Sequence, residues 1–424
     1  MTLSHVLTLR EYDRATIGEQ WDPARRIVPP RAVGEIERLQ ASQRAEIFAL
    51  GHRVIVAQQF VGTIGLGDRA IDLLPKVDQD DGATRSRLAQ MLAVAGLVPG
   101  LESGLTGLAR GAPTLVDAFM ALYVTQLAFE WRRGRREAAD RLCLRGKLLF
   151  EQQLRRNLQR PDRFFTDADE FVEDVPLSRL LKAALRLCRD HAVAEKTRRS
   201  ANELLAEFEH VRDADLTGSD LATLSVDRRT ARFGPLVNLA KVLLGRTTPD
   251  RPGDRHTYSL VFDMNEVFER YIGQLMRLAA NDRPLSVRLQ VGDQFLLYRG
   301  RAGRFRLRPD IAIYDRRGLV ALVDTKWKRL DMHRAHDGVS QADMYQMYAY
   351  GKEYACPLVI LLYPHGAGLP RHVATYRHRP GEVGCPRIEV WTVDVSQPPR
   401  GRHGTVMAQL RSLLDECIDG SHAA

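Results

Sequence analysis

Two aspartates and a lysine stand close together in Arg308-Pro309-Asp310 and Val323-Asp324-Thr325-Lys326. Residues of these types at this spacing suit metal-dependent phosphodiester hydrolysis. Mg²⁺ prefers hard oxygen ligands, keeps several waters, and usually takes one or two protein carboxylates together with substrate phosphate. Asp310 and Asp324 supply those carboxylates, and such an ion polarises a phosphoryl oxygen and acidifies a bound water. Lys326 adds a compact positive charge that orients or deprotonates the attacking water and stabilises the charged transition state. The competing reading of the same residues is a surface hairpin whose Asp324 and Lys326 are solvated charge.

The neighbouring sequence indicates what must position these groups. Phe305 to Tyr314 is rich in β-formers, Leu319 to Asp324 is an apolar run, and Asp315-Arg316-Arg317-Gly318 between them is a turn signal. Pairing Tyr314 with Leu319 sets position 310 opposite position 323. Strand alternation then puts Asp324 and Lys326 on one face and Thr325 on the other. Ser340 to Tyr350 reads as a helix, with Asp343, Gln346 and Tyr350 at i, i+3 and i+7 on a shared face. Such a face suits a helix over an active site or a phosphate backbone; the alternative is an ordinary amphipathic helix burying Met344, Met347 and Tyr348. The apolar run Pro357 to Tyr363 reads as a strand buried on both sides. Upstream, a helix from Asn265 towards Leu275 carries the stripe Phe268, Ile272 and Leu275. Glu269 lies beside that stripe, either reaching a metal site or pairing with Arg270 or another neighbour.

The hairpin, the Gln346-xxx-Tyr350 spacing and Phe262-Asp263-Met264-Asn265-xx-Phe268-Glu269 resemble the C-terminal nuclease of the McrC family, the nuclease subunits of McrBC-type 5-methylcytosine restriction systems in the PD-(D/E)xK superfamily. The Gln-xxx-Tyr element is also similar to that of RecB-like nucleases. Val61-Gly62-Thr63-Ile64 and Ile71-Asp72-Leu73-Leu74-Pro75-Lys76-Val77 resemble the family's N-terminal β-rich segment. Leu144-Arg145-Gly146-Lys147 and Glu173-Asp174-Val175-Pro176-Leu177-Ser178-Arg179 resemble its middle region, with Ser178 standing where the family pattern has Asn. The resemblance implies a DNA endonuclease dependent on Mg²⁺ (or Mn²⁺), with double-stranded DNA as substrate. It implies a separate AAA+ GTPase partner of the McrB type, which binds the GTP and whose hydrolysis this subunit stimulates. By the same resemblance Asp310, Asp324 and Lys326 form the cutting site, Glu269 completes its metal ligands, and Gln346, Tyr350 and Asp343 lie on an accessory, DNA-facing helix. Two other readings stay open: a stand-alone RecB-like repair nuclease, and a non-catalytic DNA-binding activator of an AAA+ ring.

Composition fits this frame. The 424 residues exceed one typical core, and 44% hydrophobic with 27% charged residues is globular rather than disordered. The balance of 62 basic to 53 acidic residues, a net charge of +9, favours contact with polyanions. Arginines crowd the stretch from Arg132 to Arg163, read as a helix along a phosphate backbone, a solvated face, or a protein interface. Cys143, Cys188, Cys356, Cys385 and Cys417 are too far apart for a zinc knuckle or redox motif and read as free thiols. His333 and His336 read as a polar loop pair rather than a zinc site. No signal peptide or membrane-length apolar segment is evident, so the expected location is the cytoplasm. The Gly62-xx-Gly65-x-Gly67 spacing reads as turns in a β-domain, because no Lys-Ser/Thr follows it.

The expected fold is α+β and multidomain. Residues 1–100 form an N-terminal β-rich, partner-docking domain with strands at Arg53–Ala57, Phe60–Ile64 and Ala70–Leu74. Residues 101–250 form a basic middle region, mostly helical from Pro113 to Leu244. A linker at Thr247–His256 leads into residues 251–424, a PD-(D/E)xK restriction-endonuclease-like α/β sandwich.

Overall fold

The computed structural model describes residues 5–67, 69–77, 80–98, 105–134, 138–141, 147–167, 174–214, 216, 218–224, 226, 228, 230–245, 258–366, 368–378, 385–399 and 405–421. The chain is a mixed α+β structure that divides into two compact units. One comprises Met1–Leu74, Asp81–Ala89 and Val98–Val261, the other Pro75–Asp80, Gln90–Leu97 and Phe262–Ala424. Cys143, Leu144-Arg145-Gly146, Glu173 and the expected linker at Thr247–His256 lie outside the described residues.

The first unit opens with β1 (Val6–Arg10), β2 (Arg14–Ile17), β3 (Ile27–Val28), α1 (Pro30–Gln43), β4 (Phe48–Leu50), β5 (Val54–Ala57), β6 (Phe60–Leu66) and β7 (Arg69–Leu74). One sheet runs β3-β2-β5-β4; another runs β1-β7-β6 and ends on β11 (Tyr258–Asp263). Their inner faces and α1 bury a core that includes Leu7, Leu9, Ile36, Phe48, Ile55, Ile64, Ile71 and Leu73. Of the glycines expected to make turns, Gly67 does so after β6 at φ +65°, whereas Gly62 and Gly65 lie inside β6. At φ +129° Gly62 brings its backbone so close to β11 that a Cβ would sit 2.0 Å from the Leu260 carbonyl oxygen. A bare backbone is needed there for the strands to approach.

Helices follow: α2 (Asp81–Val94), through which the unit boundary passes, α3 (Leu105–Gly111) and α4 (Leu115–Gly134). The stretch expected to be helical then departs from that pattern. Strands β8 (Ala138–Arg141), β9 (Lys147–Leu148) and β10 (Phe164–Asp167) form a small sheet, and among the described residues between them only α5 (Phe150–Asn157) is helical. The arginines from Arg132 to Arg163 therefore do not lie on one helix. Helical structure resumes with α6 (Pro176–His191), α7 (Glu195–Ala206), α8 (Gly218–Thr223) and α9 (Gly234–Leu244). Proline opens both α6 and α9 at the first turn, where its missing N–H costs nothing.

The second unit contains α10 (Met264–Ala280), β12 (Ser286–Leu289), β13 (Phe295–Arg299), β14 (Ala302–Arg306), β15 (Ile311–Tyr314), β16 (Leu319–Thr325), α11 (Gln341–Glu353), β17 (Leu358–Pro364), β18 (His372–Tyr376), β19 (Arg387–Val393) and α12 (Val406–Ser421). Its main sheet runs β12-β15-β16-β17-β19-β18. Strands β16, β17 and β19 are parallel neighbours, and β12 and β18 are antiparallel edges. A parallel strand covered on both faces must be apolar throughout, and β17 is buried at every position. Ala312, Leu322, Val359, Leu361 and Val390 pack with Met347 and Tyr350 of α11. Helices α10 and α12 pack together and contact β16. Phe305–Tyr314 is not one strand: Ala302–Arg306 pairs with β13 as a separate ribbon, and β15 begins only at Ile311. Cys188, Cys356, Cys385 and Cys417 are free thiols. Among the described residues, no helix is long and apolar enough to cross a membrane.

Candidate active site

The antiparallel pair β15–β16 carries the two aspartates, and its register decides their relation. Tyr314 pairs with Leu319 as the turn signal suggests, closed by the bond from the Asp315 amide to the Gly318 carbonyl at 2.9 Å. The register then shifts between Ile313 and Tyr314, so Ile313 faces Ala321 and Ile311 faces Val323. One extra residue on β16 forms a bulge. Continued one step, this register brings Asp310 opposite Asp324, not opposite Val323 as an unbulged hairpin would. A one-residue shift moves a side chain to the other face of a sheet. The bulge therefore puts both carboxylates, with Lys326, on the face that α11 covers.

Asp324 is buried, with 3% of its side chain exposed, and its Oδ2 lies 2.6 Å from Lys326 Nζ. Among the described residues, Oδ2 has no partner besides this ammonium. Burial raises the Asp324 pKa above the usual carboxylate range, and Lys326 opposes the rise. Asp310 is half-buried; Thr325 donates to its Oδ2 from both the amide and the hydroxyl, each at 2.7 Å. Burial and the charge of Asp324 push its pKa up to about 6. For Lys326, burial works against the ammonium, but Asp324, Asp343 and Asp310 outweigh it and raise the pKa.

Helix α11 is capped by Ser340, whose hydroxyl accepts from the Asp343 amide at 3.1 Å. Gln346 connects the helix to the site: its Oε1 accepts from Lys326 Nζ at 3.0 Å and its Nε2 donates to the Tyr350 hydroxyl at 2.7 Å. Tyr350 in turn donates to the Arg308 carbonyl at 3.0 Å, two residues before Asp310. Asp343 lies in the same region but pairs with Lys328 at 3.0 Å. Burial works against its carboxylate, yet bonds from Ser340 and Lys328 hold its pKa below the usual value. The same helix buries Met347 in the core while Tyr348 stays exposed and Met344 is half-buried.

Glu269 projects from α10, whose Phe268, Ile272 and Leu275 are fully buried as their spacing implies. It does not pair with Arg270, which bonds Glu266 at 2.8 Å. Glu269 Oε1 instead accepts from Gln290 Nε2 at 2.8 Å, and burial, then the charge of Asp310, raises its pKa. Among the described residues, no group of three or more His, Cys, Asp or Glu side chains gathers closely enough to hold a metal ion. Asp310, Asp324 and Glu269 are thus electrostatic neighbours without forming a three-carboxylate cluster. His333 and His336 are exposed in the segment before α11.

Strand alternation misplaces one functional side chain. It points Thr325 away from the site, yet the hydroxyl of Thr325, the last residue of β16, bonds Asp310 Oδ2. Sequence reasoning also misses Gln290. It sits at φ +49° just after β12, bonds Glu269 through its side chain, and donates its amide to the Asp310 carbonyl at 2.8 Å. No local pattern marks it, whereas Lys328, two positions beyond Lys326, is within reach of the same spacing argument.

A family model described as McrBC 5-methylcytosine restriction system component matches residues 55–364. The chain belongs to this family. The McrC resemblance read from the sequence therefore holds. Among solved structures, the chain is similar to one in the refined half-complex from the tetradecameric assembly of Thermococcus gammatolerans McrB AAA+ hexamers with bound McrC. The identity is 18% and the TM-score 0.70, over 97% of this chain and 99% of that one, which shows a common fold. A chain of the Thermococcus gammatolerans McrBC complex, solved by cryo-EM, is 21% identical with a TM-score of 0.46, over 64% of this chain and 87% of that one. Curated proteins yield no match.

Proposed function

We propose that this chain is the DNA endonuclease subunit of its McrBC-type restriction system, with the second unit a PD-(D/E)xK nuclease. The observation that carries this reading is the bulged β15–β16 pair, which turns Asp310, Asp324 and Lys326 to one face beneath Gln346 and Tyr350. The residues fit a magnesium ion. Among the described residues, Asp324 Oδ2 meets only the Lys326 ammonium, and both bonds to Asp310 fall on its Oδ2, which leaves the other oxygen of Asp310 without a bond. Two carboxylates satisfy an ion that takes its remaining ligands from water and phosphate. Asp310 and Asp324 would hold it, and Glu269 lies near enough to influence both. When bound, such an ion polarises the scissile phosphate and makes water a better nucleophile.

The chain's own residues do the rest. Thr325 fixes the rotamer of Asp310. Lys326 stays an ammonium, which favours orienting water and stabilising negative charge over acting as a base. Gln346 and Tyr350 hold Lys326 and the Arg308 backbone in one frame. The first unit, by family likeness, is the candidate for docking on an AAA+ GTPase of the McrB type that binds the GTP and is stimulated by this chain. The solved relative, described as McrC bound to McrB AAA+ hexamers, supports that partner. Cytoplasmic location goes with the same reading.

The test is cleavage of duplex DNA with Mg²⁺ by wild type and Lys326→Ala, each with and without the AAA+ partner and GTP. Cutting that needs partner, GTP and Lys326 is expected. Lys326-dependent cutting by the chain alone would favour a stand-alone repair nuclease, and no cutting under any condition a non-catalytic activator.

A further inference from the structure

The β13–β14 ribbon leads directly into Asp310, and its composition is unlike the rest of the second unit. From Phe295 to Pro309 the chain carries Arg299, Arg301, Arg304, Arg306 and Arg308 and no acidic residue. Arg299, Arg301, Arg304 and Arg308 are exposed, and among the described residues none of them forms an ion pair. Between these arginines stand Leu297, Tyr298 and Phe305, with 57%, 62% and 70% of their surfaces exposed. Apolar groups gathered on one short ribbon among arginines suit contact with a partner that is both charged and apolar.

The ribbon is held firmly for an isolated strand pair, which alone is marginally stable in water. Gly300, at φ +62°, opens the two-residue loop closed by the Arg299–Ala302 pair. The Phe295 ring lies over Gly303, where a Cβ would come within 2.4 Å of it. At the base, Leu307 is buried in the core and its amide donates to the Gln294 carbonyl at 3.0 Å. Arg306 donates to the Gly292 carbonyl. The hydroxyl of Tyr354, which caps the end of α11, donates towards the Val291 carbonyl at 3.3 Å and that of Leu307 at 3.2 Å, so one side chain spans both legs.

Resting on the nuclease reading above, we propose that the β13–β14 ribbon is the surface by which this unit grips duplex DNA beside Asp310. Unpaired guanidiniums match phosphate oxygens in charge and geometry. A two-stranded β-ribbon fits the width of the major groove, and Tyr298 and Phe305 offer apolar contact to sugars and bases. The chain between Arg306 and Asp310 is only Leu307-Arg308-Pro309, and Tyr350 bonds the Arg308 carbonyl in it. Phosphates held by the ribbon therefore stay near the carboxylates.

The test measures fluorescence anisotropy of a short labelled duplex with the full chain in EDTA, over a salt series. The probe variants are R299A/R301A/R304A, R299K/R301K/R304K and Tyr298→Ala. The alanine triple should lose about tenfold or more in affinity, and its salt slope should fall by about three units, one for each phosphate it no longer neutralises. The lysine triple should keep the slope, which a loss of folding would not allow. Tyr298→Ala should weaken binding with the slope unchanged. An alanine triple that binds with the parental affinity and slope overturns the proposal, as does one that loses only the AAA+ partner. Cleavage assayed in parallel separates the two readings. Lys326-dependent cutting that the alanine triple retains sinks the ribbon alone, whereas ribbon-dependent binding without any cutting sinks the nuclease.

Discussion

At the scale of single residues, the site rests on Asp324, whose carboxylate is buried against one ammonium. Removing either partner strips the charge arrangement that the proposed phosphodiester hydrolysis needs. Asp324→Ala and Lys326→Ala should each lower cleavage by about a hundredfold or more, while GTP hydrolysis by the AAA+ partner stays stimulated; a variant that still cuts at the parental rate would refute the assignment. Thr325 offers a finer probe, because two of its atoms bond one oxygen of Asp310. Thr325→Val keeps the amide bond and loses the hydroxyl. It should cost about 1 kcal/mol in stability and lower the cleavage rate, whereas Thr325→Ser should restore both. Equal rates for valine and threonine at this position would mean that the amide alone sets the carboxylate.

At the scale of elements, the position of α11 over β16 and β17 fixes where Gln346 meets Lys326. Gly351 allows that packing. A Cβ there would come within 2.3 Å of the Pro386 side chain and 3.2 Å of Val359. The helix must move away if this glycine gains a methyl group. Gly351→Ala should therefore destabilise the protein by about 1–3 kcal/mol and lower cleavage with it, read as a drop in Tm beside the rate. The β16 bulge is the second determinant. It lets the Tyr314–Leu319 end and the Asp310–Asp324 end of the pair differ in register by one residue. Deleting Val320 removes that step and leaves Asp310 opposite Asp324, so the folded variant should still cut. A folded but inactive variant would show that the site needs the bulge's local twist.

At the scale of the whole molecule, the first unit has its own buried anchor. Asp72 and Arg85 are 0% and 7% exposed and 2.9 Å apart, with Thr63 and the Leu115 amide also bonded to Asp72. Burial raises the Asp72 pKa and Arg85 opposes it. Breaking such a pair leaves an uncompensated buried charge. Arg85→Ala should cost about 3–5 kcal/mol, and the joint change of Asp72 and Arg85 to apolar residues of similar size much less. Denaturant unfolding of the two variants measures the difference, and equal losses would show that the pair is not coupled.

Much of this protein was legible from local pattern. The strands at β5, β6, β7 and β17, the turn at Asp315–Gly318, the buried stripe of α10 and the α11 start at Ser340 follow from neighbouring residues, because hydrophobic periodicity and capping act over a few positions. The carboxylates and the lysine were visible as chemical types at a suggestive spacing, and the family motif around them was visible too. The tertiary structure decided which of these meet. The bulge, the capture of Glu269 by Gln290, the Thr325 bond to Asp310 and the small β8-β10-β9 sheet all depend on groups distant along the chain. Strand register and side-chain partners are chosen by backbone pairing and packing across the fold. Local sequence does not encode those energies, so Asp310 could be named from the chain alone but its position opposite Asp324 could not.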